Sequence, residues 1–299
     1  MFNSLFRKCA SGETPIGLTR AIWESSENQF TLWRTGPVRP ILRYRCNVLS
    51  PTDPPHDASP VSAFYESFYD SLDIEDANDA SRALCPRLAV FAEEYLSHRV
   101  TLGGPIRILD VGCGRDPLLA SRIVAGDEYW GVDIVKPSIK LEHFVQMDLN
   151  MPDFRSALDD LCFDVIFCSE VIEHVFSPDA LLREMKLLMH ESSLLLLSTP
   201  NLAYWANRIL LPIGISPLFL ENSAERKLGR RLRRLGQNNH TEGHLHVFTH
   251  RAMMELLALQ QYRVERVRSV PLWEFRADRF ACRISPHIAP SNVYIAKSH

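Results

Sequence analysis

Residues Arg107-Ile108-Leu109-Asp110-Val111-Gly112-Cys113-Gly114 constrain this chain more than any other stretch. The Ile, Leu and Val of the run suit a strand buried on both faces of a parallel sheet. The Gly-Cys-Gly that ends it turns the chain sharply and leaves bare backbone for a ligand to approach. A helix is expected next. Asp116 would be its N-cap, Pro117 would sit in its first turn, and Leu118, Leu119, Ile123 and Val124 recur at helical spacing. Strand, glycine turn and helix N-terminus together make a nucleotide-sized cradle. A redox dinucleotide fingerprint would need a third glycine three residues after the second. That position holds Pro117, beside the charged Arg115 and Asp116, so no pyrophosphate is expected in the turn.

The rest of the chain repeats the alternation. Tyr129 to Ile134 reads as a second strand with Asp133 near its C-terminal end, the edge where open parallel sheets bind ligands. A carboxylate there can accept hydrogen bonds from both hydroxyls of a ribose. Phe144 to Met147 is a third strand, leading into Asp148-Leu149-Asn150, and the interval before it is so short that its helix must be one turn or absent. Phe163 to Glu170 is a fourth strand. Ser177 and Pro178 then open a helix through Leu181, Leu182, Met185 and Leu188. Leu194 to Asn201 is a fifth strand and its exit, and Tyr262 to Val270 with Asn292 to Lys297 close the chain as a strand pair. Upstream, Ala83 to Val100 reads as a helix. From Val61, Phe64, Phe68 and Leu72 share one helical face beside Tyr65 and Tyr69. Alternation of this kind points to an α/β fold.

Length and composition set the outer bounds. The chain has 299 residues, 46% of them hydrophobic, enough for one large α/β domain with additions. A net charge of -3 argues against a protein that coats nucleic acid. The seven cysteines are scattered without a Cys-x-x-Cys pair, which reads as reduced thiols in a cytoplasmic protein. Arg7 and Lys8 are not followed by the apolar core of a signal peptide. Ile209 to Leu220 is broken by Pro212, Gly214 and Pro217 and is too short to span a bilayer. Six prolines between Pro37 and Pro60 make residues 1–60 a partly irregular arm rather than a second domain.

The pattern hydrophobic-Leu-Asp-Val-Gly-Cys-Gly, then Gly131-Val132-Asp133, Asp148 and Phe163-Asp164-Val165-Ile166, resembles the ordered motifs of class I S-adenosylmethionine-dependent methyltransferases. The resemblance covers residues 61–299. It implies a Rossmann-like, mostly parallel seven-stranded sheet with helices on both faces, an N-terminal helical extension, and a substrate cap inserted at 201–249. It also implies that S-adenosylmethionine is held by Asp110, Gly112, Cys113, Gly114, Asp133, Ile134, Asp148, Leu149, Ser169 and Glu170. Tyr65 or Tyr69 would help close the pocket.

Glu170, Glu173 and His174 follow the fourth strand, and a helical turn there would place them on one face. Together with Gly243-His244-Leu245-His246-Val247-Phe248-Thr249 they resemble small-RNA 2′-O-methyltransferases. That resemblance implies a divalent metal (Mg or Mn) on Glu170, Glu173, His174 and His244. The same elements also mark ubiquinone-type O-methyltransferases and bacterial methyltransferases of glycan and secondary-metabolite clusters. An alcohol must lose its proton on methylation, and His174, then His244, are the candidate bases. Thr199-Pro200-Asn201 is not the Asn-Pro-Pro-aromatic signature of amino-group methyltransferases, which favours an oxygen acceptor.

The expected activity is therefore O-methylation of a small-molecule, natural-product or glycan-type acceptor. The alternatives are metal-dependent methylation of an RNA ribose and a non-catalytic cofactor-binding subunit. Within the cap, Tyr204, Trp205 and Phe219 would line an apolar pocket. Arg226, Lys227, Arg230, Arg231, Arg233 and Arg234 form a solvated basic face or meet an anionic acceptor. His240, His244, His246 and His250 lack companion cysteines, so no zinc site is expected.

Overall fold

The computed structural model describes residues 20–24, 29–33, 43–45, 74–151, 154–158, 161–229, 241–272 and 275–299. The chain divides into two compact units, Met1–Asp57 and Ala58–His299. The first contains a three-stranded antiparallel sheet of β1 (Arg20–Glu24), β2 (Gln29–Trp33) and β3 (Arg43–Arg45), in that order. These strands fall within the stretch expected from its prolines to be a partly irregular arm.

The second unit opens with the helix α1 (Ile74–Leu102), which extends beyond both ends of the predicted helix and carries Pro86 inside it. The strands follow as β4 (Arg107–Val111), β5 (Glu128–Asp133), β6 (His143–Gln146) and β7 (Phe163–Ser169). Then come α2 (Pro178–Leu187), β8 (Met189–Pro200), α3 (Trp205–Leu210), α4 (His250–Leu259), β9 (Tyr262–Val270), α5 (Arg276–Ile284) and β10 (Ser291–Ser298). They form one seven-stranded sheet of order β6-β5-β4-β7-β8-β10-β9. β10 runs antiparallel to both β8 and β9, and the remaining pairs are parallel. This is the Rossmann-like sheet expected from the motifs.

Period-two alternation builds two cores from one set of strands. Leu109, Val111, Ile166, Cys168, Leu195 and Leu197 pack on one face, with α2 and α4. Ile108, Val165, Phe167, Leu194 and Leu196 pack on the other, with Leu88, Phe91 and Tyr95 of α1. Each such side chain stabilises the fold by about 1.5–3 kcal/mol when fully buried, which is why the central strands read as unbroken apolar runs.

Helix caps follow the sequence in two places and depart from it in a third. Ser177 Oγ accepts from Ala180 N–H at the start of α2, and Thr249 Oγ1 accepts from Ala252 N–H at the start of α4. After β4, however, the expected α-helix is only a 3-10 turn, Leu118–Arg122. Asp116 is no cap, because its carboxylate accepts the Ser138 hydroxyl instead. Pro117 takes the cap position without a side-chain bond, and Ile123 is already extended. No helix joins β5 to β6. The residue 61–72 helix with Tyr65 and Tyr69 lies outside the described residues, as do Arg230, Arg231, Arg233, Arg234 and His240.

The chain leaves β4 in one direction across the sheet and returns to β7 on the other side. The strand order therefore reverses between β4 and β7, and ligands of such sheets bind at the carboxyl ends of those strands. Among the described residues, no helix is long and apolar enough to cross a membrane.

Candidate active site

The turn after β4 is left-handed at two glycines, with φ of +72° at Gly112 and +73° at Gly114. The N–H groups of Gly112 and Cys113 donate to Val132 O at 2.8 and 3.2 Å, which ties the turn to β5. Asp133, at the end of β5, braces it from the side. Its Oδ2 accepts from Gly114 N–H at 2.8 Å, and its Oδ1 from Val135 N–H at 2.9 Å. Burial raises its pKa while these donors lower it. Each carboxylate oxygen keeps a lone pair for a further donor.

The other expected cofactor residues occupy distinct positions. Asp110 lies inside the sheet rather than at its edge. Its carboxylate accepts from Tyr129 OH at 2.6 Å, and burial pushes its pKa up to about 7. The Cys113 thiol is buried, and burial raises its pKa strongly. Asp148 Oδ1 accepts from the backbone and side-chain N–H groups of Asn150 at 2.9 and 2.8 Å. Asn150 Oδ1 in turn accepts from Phe176 N–H at 2.7 Å, linking this exit to the loop after β7. Ile134 and Leu149 are half-buried beside Asp133 and Asp148, and Ser169 Oγ is 3.3 Å from Ser198 Oγ.

Glu170 ends β7 in a left-handed conformation, φ +56°, which a glutamate rarely adopts. This turns its carboxylate toward Ser198 Oγ at 2.9 Å, Ser291 Oγ at 3.3 Å and Arg87 of α1 at 3.1 Å. Arg87 is buried, and its Nε has no hydrogen-bond partner among the described residues. Sequence reasoning missed Arg87, which reads only as one more charge on a helix far upstream.

A tight turn follows, with His174 N–H donating to Val171 O at 2.9 Å. Glu173 is buried within it. Thr199 Oγ1 donates to its Oε2 at 3.0 Å, while its Oε1 is buried with no hydrogen-bond partner among the described residues. Burial and the nearby Glu170 carboxylate hold its pKa well above the ordinary range. The Nδ1 of His174 lies 3.2 Å from Gly243 O, and that of His244 lies 2.9 Å from Phe219 O. A carbonyl only accepts, so both imidazoles donate from Nδ1, and the Nε2 of His244 lies 3.5 Å from the Glu242 carboxylate. The rings are 4.8 Å apart between centroids. Burial and the neighbouring His244 lower the His174 pKa to about 4.

Glu173, His174 and His244 each present a ligand atom within 4.8 Å of the others. Glu170, the fourth residue expected in this set, is not part of it, because its left-handed backbone directs it to Arg87. A second group, Glu221, Glu242 and His244, is gathered equally closely. There Lys227 supplies the cation, pairing with Glu242 and lying 3.8 Å from Glu221. Lys227 is therefore a buried ion-pair partner rather than part of a solvated basic face. Glu221 accepts from three successive N–H groups, those of Glu242, Gly243 and His244, at 2.7, 2.9 and 3.2 Å. It fixes the loop that carries His244, a tie that no sequence pattern marks.

His246 Nε2 approaches Phe176 O, and His250 Nδ1 approaches Tyr294 OH, so neither joins the metal-ligand groups. Tyr204 and Phe219 do not line an open pocket. They pack with Leu218 into a small core of the cap, against Trp205. Tyr204 OH and Trp205 Nε1 donate to the buried Asp278 of α5.

A doubly wound sheet of this order, with a glycine turn braced by an acid at the end of the next strand, is the class I S-adenosylmethionine-dependent methyltransferase arrangement. The chain belongs to the methyltransferase-domain family, which it matches over residues 77–267. It is 29% identical over 116 residues to a ubiquinone biosynthesis O-methyltransferase of Chromobacterium violaceum, an alignment covering 36% of this chain and 50% of that protein. A protein of the same name from Xanthomonas euvesicatoria is 34% identical over 116 residues, covering 36% of this chain and 48% of that one. The chain thus spans about half the length of the curated relatives it matches. Among solved structures, the 1,6-didemethyltoxoflavin-N1-methyltransferase of Burkholderia thailandensis is 17% identical, covers 93% of this chain and 99% of its own, and gives a TM-score of 0.48.

Proposed function

We propose that this chain transfers the methyl group of S-adenosylmethionine to a hydroxyl of a small-molecule, natural-product or glycan-type acceptor. The observation that carries this reading is the imidazole pair. His174 and His244 both donate Nδ1–H to a carbonyl, and their rings lie 4.8 Å apart between centroids. One of them follows the strand next to the glycine turn.

In this reading Asp133 accepts the ribose hydroxyls, and Asp148 with Leu149 meets the adenine. Ile134 packs beside the nucleoside. The backbone of Gly112, Cys113 and Gly114, with Ser169 and Glu170, faces the methionine part. Asp110 supports the turn from inside the sheet. The acceptor oxygen forms its bond to the methyl carbon as the sulfur–methyl bond breaks, and the sulfonium leaves as a neutral thioether. The hydroxyl proton passes to an imidazole Nε2. Burial and the neighbouring His244 lower the His174 pKa to about 4, so its imidazole is neutral at neutral pH. Charge is lost at sulfur, so the protein contributes mainly by positioning the acceptor and excluding water.

The uncommitted Oε1 of Glu173 favours a second reading of the same site, a divalent cation on Glu173, His174 and His244. Mixed carboxylate and imidazole donors suit manganese better than magnesium. When bound, the cation would acidify the acceptor hydroxyl. Paramagnetic resonance of added manganese reads this directly. Tight binding that Glu173→Gln abolishes supports the cation, and no binding removes it.

The test of the main proposal is transfer of a labelled methyl group to a panel of phenols, catechols and nucleotide-linked sugars. His174→Ala and His244→Ala should each keep cofactor affinity and lower turnover by about 100-fold, the lower range for a general base. Unchanged turnover in both variants would contradict the assignment.

A further inference from the structure

The cap and α5 carry an exposed face that catalysis does not use. Ile209 at the end of α3, Leu211 and Ile213 of the 3-10 turn after it, and Phe280 and Ile284 of α5 are each more than half exposed. α3 and α5 adjoin: Trp205 Nε1 donates to Asp278 at 2.9 Å, and Arg208 donates to His287 O at 3.2 Å. Around α5 the exposed surface is sorted. Arg276, Arg279 and Arg283 recur at helical spacing along one edge, and Phe280 and Ile284 along the adjoining edge, while Asp278 and Ala281 face inward.

The charge is one-sided. Residues 203–220 contain Arg208 and no acid, and residues 275–290 contain three arginines and a single acid, the buried Asp278. Within these two spans, four arginines and no exposed carboxylate among the described residues sit on a chain whose net charge is -3.

We propose that this face docks the protein on an anionic phospholipid bilayer. An apolar edge flanked by arginines is the arrangement of helices that lie in a membrane interface, where aliphatic and aromatic side chains enter the acyl boundary and guanidinium groups reach the phosphates. The face also backs onto the Tyr204, Leu218 and Phe219 core, whose Phe219 carbonyl holds His244. Docking would therefore bring a lipid-dissolved acceptor to the wall of the proposed site, which deepens the acceptor class in the function proposed above and rests on that reading. The docking itself does not.

The experiment is flotation of the full chain with phosphatidylcholine vesicles, with and without phosphatidylglycerol. Binding is expected only to the anionic vesicles and should weaken with salt. Arg276→Gln/Arg279→Gln/Arg283→Gln should lower it roughly 100-fold, at the usual contribution of an arginine near an anionic surface. Phe280→Ser/Ile284→Ser should lower it about tenfold or more. Unchanged S-adenosylmethionine affinity in both variants shows that they are folded, and it keeps this result separate from the catalytic proposal. No binding to anionic vesicles at low salt would overturn the inference, as would binding by both variants equal to that of the wild type. So would a dimer in light scattering that the Phe280/Ile284 change dissolves while vesicle binding is absent, since the face would then pair with a second copy.

Discussion

A methyl group added at Gly112 would sit 2.3 Å from Val171 Cγ2, on a backbone whose φ is +72°. The left-handed conformation costs a non-glycine residue about 1–2 kcal/mol, and overpacking adds about 1–3 kcal/mol. Gly112→Ala should therefore lose about 2–5 kcal/mol in urea unfolding and lose cofactor binding with it. Asp110 makes a second test at this scale. Its pKa is raised to about 7, so the folded protein binds a proton that the unfolded chain has released once the pH exceeds the ordinary carboxylate value. That stabilising difference is present at low pH and is lost as pH rises through about 7. Asp110→Asn keeps an acceptor for Tyr129 and removes the charge. Its melting temperature should exceed that of the wild type at pH 8, with the gap closing toward pH 5. An equal shift at both pH values would show that burial of this charge is not the cause.

At the scale of elements, the loop at 241–249 matters most. It hangs on Glu221, whose carboxylate collects three N–H groups, and on Glu173 O, which accepts from Leu245 and His246 N–H at 2.9 and 3.0 Å. Glu221→Gln puts an amide where only acceptors fit. If the loop positions His244, kcat should fall by roughly tenfold while cofactor affinity changes less than about twofold. Steady-state kinetics with labelled methyl transfer separates the two, and a change confined to KM would point to a binding role instead.

The same scale explains what was legible in the sequence. β4, β7 and β8 announced themselves because strands buried on both faces must be apolar throughout. Gly112, Gly114 and Asp133 were legible because turn and acid stand at fixed offsets in the chain. The helix after β4 was misread because Leu118, Leu119, Ile123 and Val124 recur at helical spacing, yet Asp116 is claimed by Ser138 from a different loop. Arg87 with Glu170, and Glu221 with the His244 loop, were invisible for the same reason. Their pairing is set by the folded sheet edge rather than by neighbours in sequence. The shared turn of Glu173 and His174 was readable, but the left-handed residue that expels Glu170 from it was not.

At the scale of the whole molecule, the sheet carries Gly112, Gly114, Asp133, Glu170 and His174 at the carboxyl ends of its strands, and stability should be graded away from its centre. β4, β7, β8 and β10 lie between two cores, while β6 is an edge strand that is only half-buried. Amide hydrogen exchange should be slowest in those four strands and faster by orders of magnitude in β6 and in the loop at 241–249. Uniform protection would contradict two cores built on one sheet. The central claim is that this edge binds S-adenosylmethionine through the turn after β4 and the acid ending β5. Its most direct test is calorimetric titration of S-adenosylmethionine into the wild type, Asp133→Ala and His174→Ala/His244→Ala. Saturable binding to the wild type is expected, with its loss in Asp133→Ala and its retention in the histidine variant. A folded wild type that takes up no S-adenosylmethionine, or an Asp133→Ala variant that binds as well as the wild type, would contradict it.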